Sequence, residues 1–592
     1  MRGIGPFLKD AWHLSRPYFL TSEERWSARL LLLAIVAMNL TLVGLSVVLS
    51  FWHREFYNSL QDKDWKAFLE LLFLYRPTES GLMPGFCEVA VVYIVLYVYS
   101  VYLNQLLQIR WRGWMTHKFL NEWLADRAYY HISLTRDPGS IGTDNPDQRI
   151  AEDLRDFTTT TLSLSLDLLS NIVSMFSFIS ILWGLSGAMD VFGIPIPGYM
   201  VWVALAYAAV GTWLTHLVGR PLAILRFRQQ RVEADFRYAL VRIRENMENI
   251  ALYRGEEEER VSLRERFTAL IANWRQIMTR TKLLNSLTSG YGQVAGIFPI
   301  VVAAPRYFAG KMQLGGLVQT AGAFGQVQGS MSWFIDAYAQ LAEWRAIVER
   351  LATFHRAIVK ARAETHGGFD PSISGDGNLH LNDVIMTLPD GTKLLDGANL
   401  TLTPGHSIVL TGRSGTGKTT LFRVLAGIWP FGSGAVQIPP RSFFLPQRPY
   451  IPLGTLRHVI SYPNAVDSFS PAEMAQVLRD VGLPELSEHL DRDENWPMRL
   501  SVGEQQRLGF ARALLAKPDW IFLDEATASV DPEAEMELYQ MLKTRLPAAT
   551  LVSIAHRPSV ASFHERRLNM QREIGKAGTL IASSVLPEPA GD

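Results

Sequence analysis

Long apolar runs fill the first part of the chain, whereas short runs of alternating apolar and polar residues fill the last third. A helix that crosses a bilayer needs about 20 mostly apolar residues. Runs of this kind lie near 29–51, 87–108, 161–185, 198–219, 291–310 and 315–340. The last two contain more Gly, Ala and Gln than the first four. The pattern predicts an α-helical membrane domain with six transmembrane helices.

Basic residues lie mainly between the second and third runs and between the fourth and fifth, whereas the loop at 186–199 has no Lys or Arg. Because Lys and Arg concentrate in cytoplasmic loops, this asymmetry places both termini in the cytosol. The two basic segments should continue the membrane helices as long cytosolic helices, with turns at 141–149 and 253–256. We expect no removable signal peptide, since no short apolar core with a small-residue cleavage site follows the N-terminus.

The last third begins with strand patterns around the turn Pro389-Asp390-Gly391. Residues 379–386 and 398–402 predict a small antiparallel sheet. Residues 407–410 predict a buried strand and residues 419–426 a helix. A stretch rich in Gly, Ser and Pro precedes them. We therefore predict a membrane domain at 1–350, a linker at 351–376 and an α/β P-loop ATPase domain at 377–592.

A glycine-rich loop at 412–420, Gly-Arg-Ser-Gly-Thr-Gly-Lys-Thr-Thr, joins the predicted strand to the predicted helix. Such glycines let backbone N–H groups surround phosphates, and the helix N-terminus adds partial positive charge. Lys418 would reach the β and γ phosphates, and Thr419 would ligate Mg²⁺. The predicted ATP-binding residues are Gly412, Ser414, Gly415, Thr416, Gly417, Lys418, Thr419, Thr420, Gln447 and Asp524.

Polar residues that follow buried strands complete a hydrolytic set. Asp524 ends the apolar run at 520–523, and Glu525 beside it is the expected general base or positioner of the attacking water. His556 follows the strand pattern at 551–555 and would contact the γ phosphate. Gln447 is expected to contact Mg²⁺ together with Thr419, and Asp524 to act on the ion indirectly. A lone Gln or His is usually structural, but the ordered set predicts an ATPase that uses ATP and Mg²⁺.

The composition of the chain limits the classes of partner and cofactor that it can have. The 592 residues carry no formal net charge, so nothing favours nucleic acid as an electrostatic partner. Cys87 is the only cysteine, which excludes an intrachain disulfide and a cysteine zinc site. The lipid bilayer is the one partner that the long apolar runs predict. An ATPase joined to a membrane domain predicts a transport ATPase that couples hydrolysis to solute movement.

The sixth apolar run carries polar residues at helical spacing. Polar side chains at membrane depth face a protein interior or a wet cavity, although interhelical packing is the equal alternative. The cavity candidates are Gln319, Gln326, Ser330, Asp336 and Gln340. Such a face suits a large hydrophilic solute better than a lipid. Glu88, Asp167 and Asp336 are candidates for titrating groups in the membrane, with helix-end or hydrogen-bonded carboxylates as the alternative.

The phosphate loop, Gln447, the Leu-Ser-Val-Gly-Glu-Gln-Gln-Arg run at 500–507, Asp524-Glu525 and His556 occur in the order of the ATP-binding cassette family, which the chain resembles. The resemblance implies exporter-type architecture and a segment that contacts ATP held by a partner chain, formed here by Ser501, Val502, Gly503 and Glu504. Asp531 ends a loop at 528–531, hereafter the inter-site loop, that resembles the one linking two ATP sites.

One phosphate loop and one such segment per chain make a symmetric homodimer the simplest complete assembly. The chain departs from the family pattern, which has Gly where Val502 stands and Gln where Glu504 stands. The aromatic residue that stacks on adenine is also missing near Thr387, Leu388 and Pro389, so base selectivity should be loose.

Arg-Trp-Arg-Gly-Trp-Met-Thr at 110–116, Asn-Pro-Asp-Gln-Arg-Ile at 145–150, Leu-Pro-Gln-Arg-Pro-Tyr at 445–450 and Leu-Gly-Thr-Leu-Arg at 453–457 resemble the bacterial SbmA/BacA-like group with a fused ATPase, and also peroxisomal acyl-CoA half-transporters. The first resemblance implies a multi-pass protein of the bacterial inner membrane with cytosolic ATPase domains. It implies import of peptides, antimicrobial ones included, and other bulky hydrophilic solutes. An acyl-CoA or lipid exporter and an ATP-gated channel are the alternatives.

Overall fold

Two units make up the computed structural model of the chain. One contains Met1–Lys118 and Pro146–Ala352, and the other Phe119–Asn145 and Thr353–Asp592. The structure describes residues 4–78, 81–134, 145–191, 194–364, 368–369, 372–572 and 577–583. The segment Phe119–Asn145 thus belongs to the same unit as the predicted ATPase domain, although it lies between two predicted membrane helices in the sequence.

Long helices make up most of the first unit. The elements up to residue 364 are α1 (Ile4–Leu20), α2 (Arg25–Gln61), α3 (Trp65–Phe73), β1 (Arg76–Thr78), β2 (Gly81–Met83), α4 (Phe86–Leu124), α5 (Ala128–Leu134), α6 (Pro146–Gln148), α7 (Leu154–Ser186), β3 (Ala188–Val191), β4 (Ile194–Pro197), α8 (Tyr199–Glu245), α9 (Met247–Tyr253), α10 (Glu256–Phe308) and α11 (Leu314–Glu364). Among the described residues, α2, α4, α7, α8, α10 and α11 each exceed 30 residues.

Five helical stretches in the described part of the chain are long and apolar enough to cross a membrane. They are Arg25–Gln61, Phe86–Leu134, Pro146–Ser186, Tyr199–Glu245 and Glu256–Phe308. The sixth predicted span lies in α11, which has 51 residues. Because α11 is rich in Gly, Gln and Ala, its composition and not its length separates it from the other five.

Turns interrupt the helices near both predicted cytosolic tips. At the second tip α9 ends at Tyr253, the next residue Arg254 has a left-handed backbone with φ 53°, and α10 begins after Gly255. Four glutamates at the start of α10 are favoured by the partial positive charge of a helix N-terminus. At the first tip, residues 141–144 lie outside the described residues. The π-helical turn Arg149–Asp153 follows, where buried Asp153 pairs with Arg149 and Arg350.

The second unit contains two sheets flanked by short helices. Its elements are β5 (Ser372–Ile373), β6 (Leu379–Thr387), β7 (Lys393–Leu402), β8 (Ile408–Thr411), α12 (Lys418–Leu425), β9 (Gly432–Ile438), β10 (Ser442–Leu445), β11 (Gly454–Thr455), α13 (Leu456–Ser461), α14 (Pro471–Asp480), β12 (Asp493–Glu494), α15 (Trp496–Arg499), α16 (Val502–Ala516), β13 (Trp520–Asp524), α17 (Pro532–Arg545), β14 (Thr550–Ile554), α18 (Pro558–Ala561), β15 (Arg566–Gln571) and β16 (Thr579–Ser583).

The larger sheet has the strand order β10-β13-β14-β8-β15-β16, with every pair parallel except β15–β16. The smaller sheet has the order β5-β9-β6-β7. Its predicted antiparallel pair, β6 with β7, is confirmed, and β5 adds a parallel partner to β9. Asp524 on β13 is in register with Ile554 on β14, which is in register with Leu410 on β8. Three carboxyl ends therefore meet at one edge of the sheet.

His564 is a buried titratable group in this unit, with 4% of its surface exposed. Its Nδ1 lies 2.8 Å from the Val560 carbonyl oxygen and its Nε2 lies 2.8 Å from Ser553 Oγ. Burial lowers the pKa of His564 from 6.5 to about 4. The unfolded chain therefore binds the extra proton first as the pH falls.

We expect this unit to lose stability as the pH falls from 6.5 toward 4, because His564 takes up a proton in the unfolded state but not in the folded state. A pKa shift of this size lowers the free energy of unfolding by about 3 kcal/mol at the acid end of this range and has no effect above pH 7. The melting temperature of the full chain in detergent, followed between pH 4.5 and 7, should flatten in His564→Gln. His406→Gln, at an exposed histidine, is the matched control. An equally steep profile in His564→Gln would contradict the assignment.

Candidate functional site

The glycine-rich loop lies between β8 and α12, as the sequence predicts. Gly412 has φ 150°, and a Cβ there would lie 2.4 Å from the Met570 carbonyl oxygen, so a side chain does not fit. Gly417, with φ 106°, immediately precedes α12. Lys418 Nζ donates to the carbonyl oxygens of Gly412 at 2.8 Å and Arg413 at 3.1 Å. The lysine is thus held against the loop that would receive the phosphates.

Burial lowers the pKa of Lys418, although nearby Glu525 and Asp524 act in the opposite direction. The other predicted residues of the loop differ in their exposure. Ser414 and Gly415 are exposed, and Thr416 is buried with its Oγ1 donating to the Arg413 carbonyl oxygen at 2.9 Å. Thr420 lies in the first turn of α12.

Thr419 and Asp524 form the predicted magnesium side of the site. Thr419 Oγ1 donates to Asp524 Oδ1 at 3.2 Å, and burial raises the pKa of Asp524. A hydroxyl, a partly buried carboxylate and the Gln447 amide are the hard oxygen donors that Mg²⁺ prefers, so the residues present fit this ion. Thr419, Gln447 and Asp524 would hold Mg²⁺, which would supply positive charge against the negative charge that develops on the phosphates.

Glu525 lies between Gln447 and His556, and this contact brings three predicted residues together. Glu525 Oε2 accepts from Gln447 Nε2 at 3.2 Å, and Oε1 lies 3.0 Å from His556 Nε2. Its backbone is left-handed with φ 48°, and its N–H donates to the Ile554 carbonyl oxygen at 3.1 Å. A non-glycine residue in that region is strained and is often found at functional sites.

This arrangement can activate a water molecule. The Glu525 carboxylate can accept a proton from water at the open carboxyl edge of the sheet, while Gln447 and His556 fix its direction. His556 remains half exposed, so its ring can also reach a phosphate oxygen. Lys418 would stabilise the negative charge that develops on the phosphates. These roles remain predictions of the geometry.

The segment predicted to contact ATP of a partner chain lies at the N-terminus of α16. Ser501 Oγ accepts from the Glu504 N–H at 3.3 Å, while Glu504 Oε2 accepts from the Ser501 N–H at 2.7 Å. This reciprocal cap explains why Glu is acceptable where the family has Gln, since a carboxylate suits a helix N-terminus. Val502 is exposed, and a Cβ on Gly503 would lie 3.1 Å from the Ser529 carbonyl oxygen.

Asp531 has a structural role that the sequence did not show. Its Oδ1 accepts from the Ala534 N–H at 2.9 Å at the start of α17, and this hydrogen bond lowers the pKa of Asp531. Its Oδ2 lies 3.9 Å from Arg507 Nη2 on α16. The inter-site loop is therefore tied to the helix that would face the partner's ATP.

The cavity candidates on α11 do not share one environment. Gln319 and Ser330 are buried, and Gln319 Nε2 lies 3.4 Å from Ser50 Oγ on α2. Gln326 and Gln340 are exposed. The side chain of Asp336 lies outside the described residues. Gln319 and Ser330 are thus covered by packing in this unit, whereas Gln326 and Gln340 are exposed in the single chain.

Arg127 lies in the second unit, and the sequence patterns did not single it out. Its Nη1 donates to the carbonyl oxygens of Ala426 at 3.0 Å and Gly427 at 2.7 Å, at the C-terminal end of α12. A cation is favoured at such a helix end. Asp126 beside it pairs with Arg362 at 2.8 Å, and both Asp126 and Arg127 have left-handed backbones. No motif signals these contacts, because they join residues 236 to 300 positions apart.

A glycine-rich loop with Lys418, the hydrogen-bonded Thr419–Asp524 pair and the Glu525 carboxylate lie at one sheet edge, in a chain with long apolar helices. These are the features of an ATP-driven membrane transporter. The sequence pattern of the family described as "ABC transporter transmembrane region 2" matches residues 14–308, and that described as "ABC transporter" matches residues 395–528. The "Inner membrane ABC transporter ATP-binding protein YddA" of Escherichia coli is 33% identical, covering 92% of this chain and 94% of YddA.

The chain therefore belongs to the ABC transporter family. The "Lysosomal cobalamin transporter ABCD4" of Homo sapiens is 28% identical, with 92% of each chain covered. A solved structure, described as a bacterial Atm1-family ABC exporter with ATP bound, covers 92% of this chain with a TM-score of 0.64 at 18% identity. The exporter-type fold and the transport ATPase are thus confirmed, with the ATPase domain in the cytosol. Half-transporters of this family typically form dimers in a lipid bilayer.

Proposed function

We propose that the protein is a homodimeric transport ATPase of the bacterial inner membrane that imports bulky hydrophilic solutes, peptides included. The observation that carries the proposal is the contact of Glu525 with both Gln447 and His556. A carboxylate base held by these two contacts, in a chain with a membrane unit, supports ATP turnover as the source of solute movement. An ATP-gated channel does not need such a base.

The homodimer follows from what one chain holds. The chain has one phosphate loop and one N-terminal end of α16 with Ser501 and Gly503. In the family this helix end contacts ATP bound to another copy, so two copies complete two equal sites. Exposure of Ser501 and Val502 in the single chain supports a role for this surface in contacting a partner.

The hydrophilic cargo rests on the exposed polar face of α11. Gln326 and Gln340 are exposed there, and a Cβ on Gly322, Gly325 or Gly329 would meet nothing within 4 Å. Amide groups and accessible backbone can hydrogen-bond a polar solute at membrane depth. The cobalamin named for the human relative is also a bulky polar solute, which places it in the same chemical class. Import is the direction that the SbmA/BacA-like resemblance implies.

The test is transport in proteoliposomes with ATP on the side of the ATPase domains. A labelled cationic peptide, cobalamin and an acyl-CoA are offered in parallel to the wild type, Glu525→Gln and the exposed control Glu537→Gln. We expect a hydrophilic solute to accumulate on the ATP side at least about tenfold faster in the wild type and the control than in Glu525→Gln. Movement of acyl-CoA alone, or of any cargo away from ATP, would contradict the proposal.

A further inference from the structure

Gln506 lies in α16 one turn beyond the segment that would face the partner's ATP, and only 2% of its surface is exposed. Its Nε2 donates to the Gln447 carbonyl oxygen at 2.8 Å. Its Oε1 accepts from the Ser529 N–H at 3.0 Å. Both ends of this one carboxamide are therefore used, and they join two loops that lie 82 positions apart in the sequence.

The two joined loops act on different ATP sites of the proposed dimer. Gln447 belongs to residues 446–448, hereafter the glutamine loop, and its side chain donates to Glu525 in the chain's own site. Ser529 belongs to the inter-site loop, and its carbonyl oxygen lies against Gly503. A movement of the glutamine loop toward Glu525 therefore pulls on the loop that approaches the other site.

We propose that Gln506 is a positioning residue that links the glutamine loop to the inter-site loop, so that the two ATP sites of the dimer reach their hydrolytic geometry together. The proposal rests on the composite dimeric site proposed above. An amide is suited to this position because it donates on one side and accepts on the other, which neither a carboxylate nor an apolar side chain does. Burial strengthens both hydrogen bonds by excluding water.

A purely structural role makes a different prediction. Buried polar groups need partners, so Gln506 could serve only to satisfy the Gln447 carbonyl and the Ser529 N–H. Its loss would then lower thermal stability, ATP affinity and turnover together. A positioning role lowers turnover and cooperativity between sites, while ATP affinity, which depends on the phosphate loop, is kept.

The experiment compares Gln506→Glu and Gln506→Met with the exposed control Gln540→Glu in the full chain in lipid nanodiscs. Gln506→Glu keeps the size and the acceptor for Ser529 but repels the Gln447 carbonyl, and Gln506→Met loses both bonds. We expect kcat to fall about 10- to 100-fold and the Hill coefficient for ATP to fall from about 2 to about 1. ATP affinity should stay within about threefold, and the melting temperature within about 3 °C for Gln506→Glu.

A pH profile separates linkage from packing. The carboxyl group introduced by Gln506→Glu can donate to the Gln447 carbonyl only when it is protonated. Lowering the pH should therefore restore activity relative to the wild type in Gln506→Glu and not in Gln506→Met. A joint fall of stability, affinity and kcat without acid rescue would overturn the proposal, as would unchanged kcat.

A second measurement needs no change at Gln506. Hydrogen exchange in Glu525→Gln, titrated with ATP, reports peptides covering 446–450 and 526–531 separately. We expect the two peptides to gain protection at the same ATP concentration. Protection of one without the other would overturn the linkage, whereas a failure of ATP to protect either would count against the composite site itself.

Discussion

Glu525→Gln is expected to slow ATP hydrolysis by at least about 100-fold, the effect of removing a general base. ATP binding should be kept, since the phosphate loop and Lys418 are untouched. The substituted amide fits the same position: its oxygen can accept from Gln447 Nε2 and its NH₂ can donate to the His556 ring. The change therefore removes a proton acceptor while both contacts of the native carboxylate, at 3.2 Å and 3.0 Å, can be retained.

Phosphate release by the purified full chain, with ATP binding measured in parallel, checks this expectation. Glu537→Gln on the exposed face of α17 makes the same chemical change away from the site and should behave as the wild type. Turnover in Glu525→Gln equal to that of the control would show that another group accepts the proton. Loss of binding together with turnover would show that Glu525 shapes the ATP pocket instead.

Lys418→Ala is expected to abolish both hydrolysis and transport by removing the cation that holds the phosphates. A hydrogen bond to a charged group contributes about 1.5–3 kcal/mol, so ATP affinity should fall about 10- to 150-fold. The Gly412 and Arg413 carbonyl oxygens also lose their common donor, which loosens the loop. Insertion into the membrane should be unchanged, because Lys418 lies in the ATPase unit.

Lys66→Ala is the matched control, since Lys66 on α3 is 88% exposed and far along the chain from the phosphate loop. Membrane content, ATP affinity and uptake are measured for both variants at equal protein. Lys418→Met is a companion variant that keeps the apolar stem of the side chain without its charge. ATP-dependent uptake that persists in Lys418→Ala and Lys418→Met would contradict transport driven by ATP hydrolysis at this loop.

The phosphate loop was predictable because its signals are local. Three glycines, a lysine and a threonine at fixed spacing between a strand pattern and a helix pattern leave few alternative conformations. Helix α12 spans Lys418–Leu425, one residue from the predicted 419–426, and offsets of this size are usual at helix ends. The same locality explains why the strand before Asp524 and Glu525 was predicted within one residue.

Contacts between distant residues were not predictable from a single sequence. The link from Gln506 to Ser529 and the Arg127 contacts with Ala426 and Gly427 depend on how elements pack, and neither has a spacing rule. The left-handed backbone of Glu525 is another case, because the residue type alone favours ordinary helical or extended geometry. Tertiary contacts that outweigh this local preference appear only when the sheet is assembled.

The polar face of α11 shows what helical periodicity predicts and what it does not. Spacing places Gln319, Gln326 and Ser330 on one side of the helix axis, but it does not say which neighbours cover that side. The structure buries Gln319 against α2 and leaves Gln326 exposed. Packing therefore buries part of the polar face that the sequence defines. Only the exposed part belongs to the proposed solute path.

Native mass spectrometry from detergent tests the composite ATP site through the mass of Glu525→Gln with and without ATP and Mg²⁺. In the proposed dimer each ATP lies between the phosphate loop of one copy and the Ser501–Gly503 end of α16 of another. We therefore predict a species of two chains that retains two ATP molecules and is lost in the double variant Glu525→Gln, Lys418→Ala. A single chain that retains ATP stably, or a pair of chains whose mass includes no ATP, would contradict the composite site on which the proposed transport cycle depends.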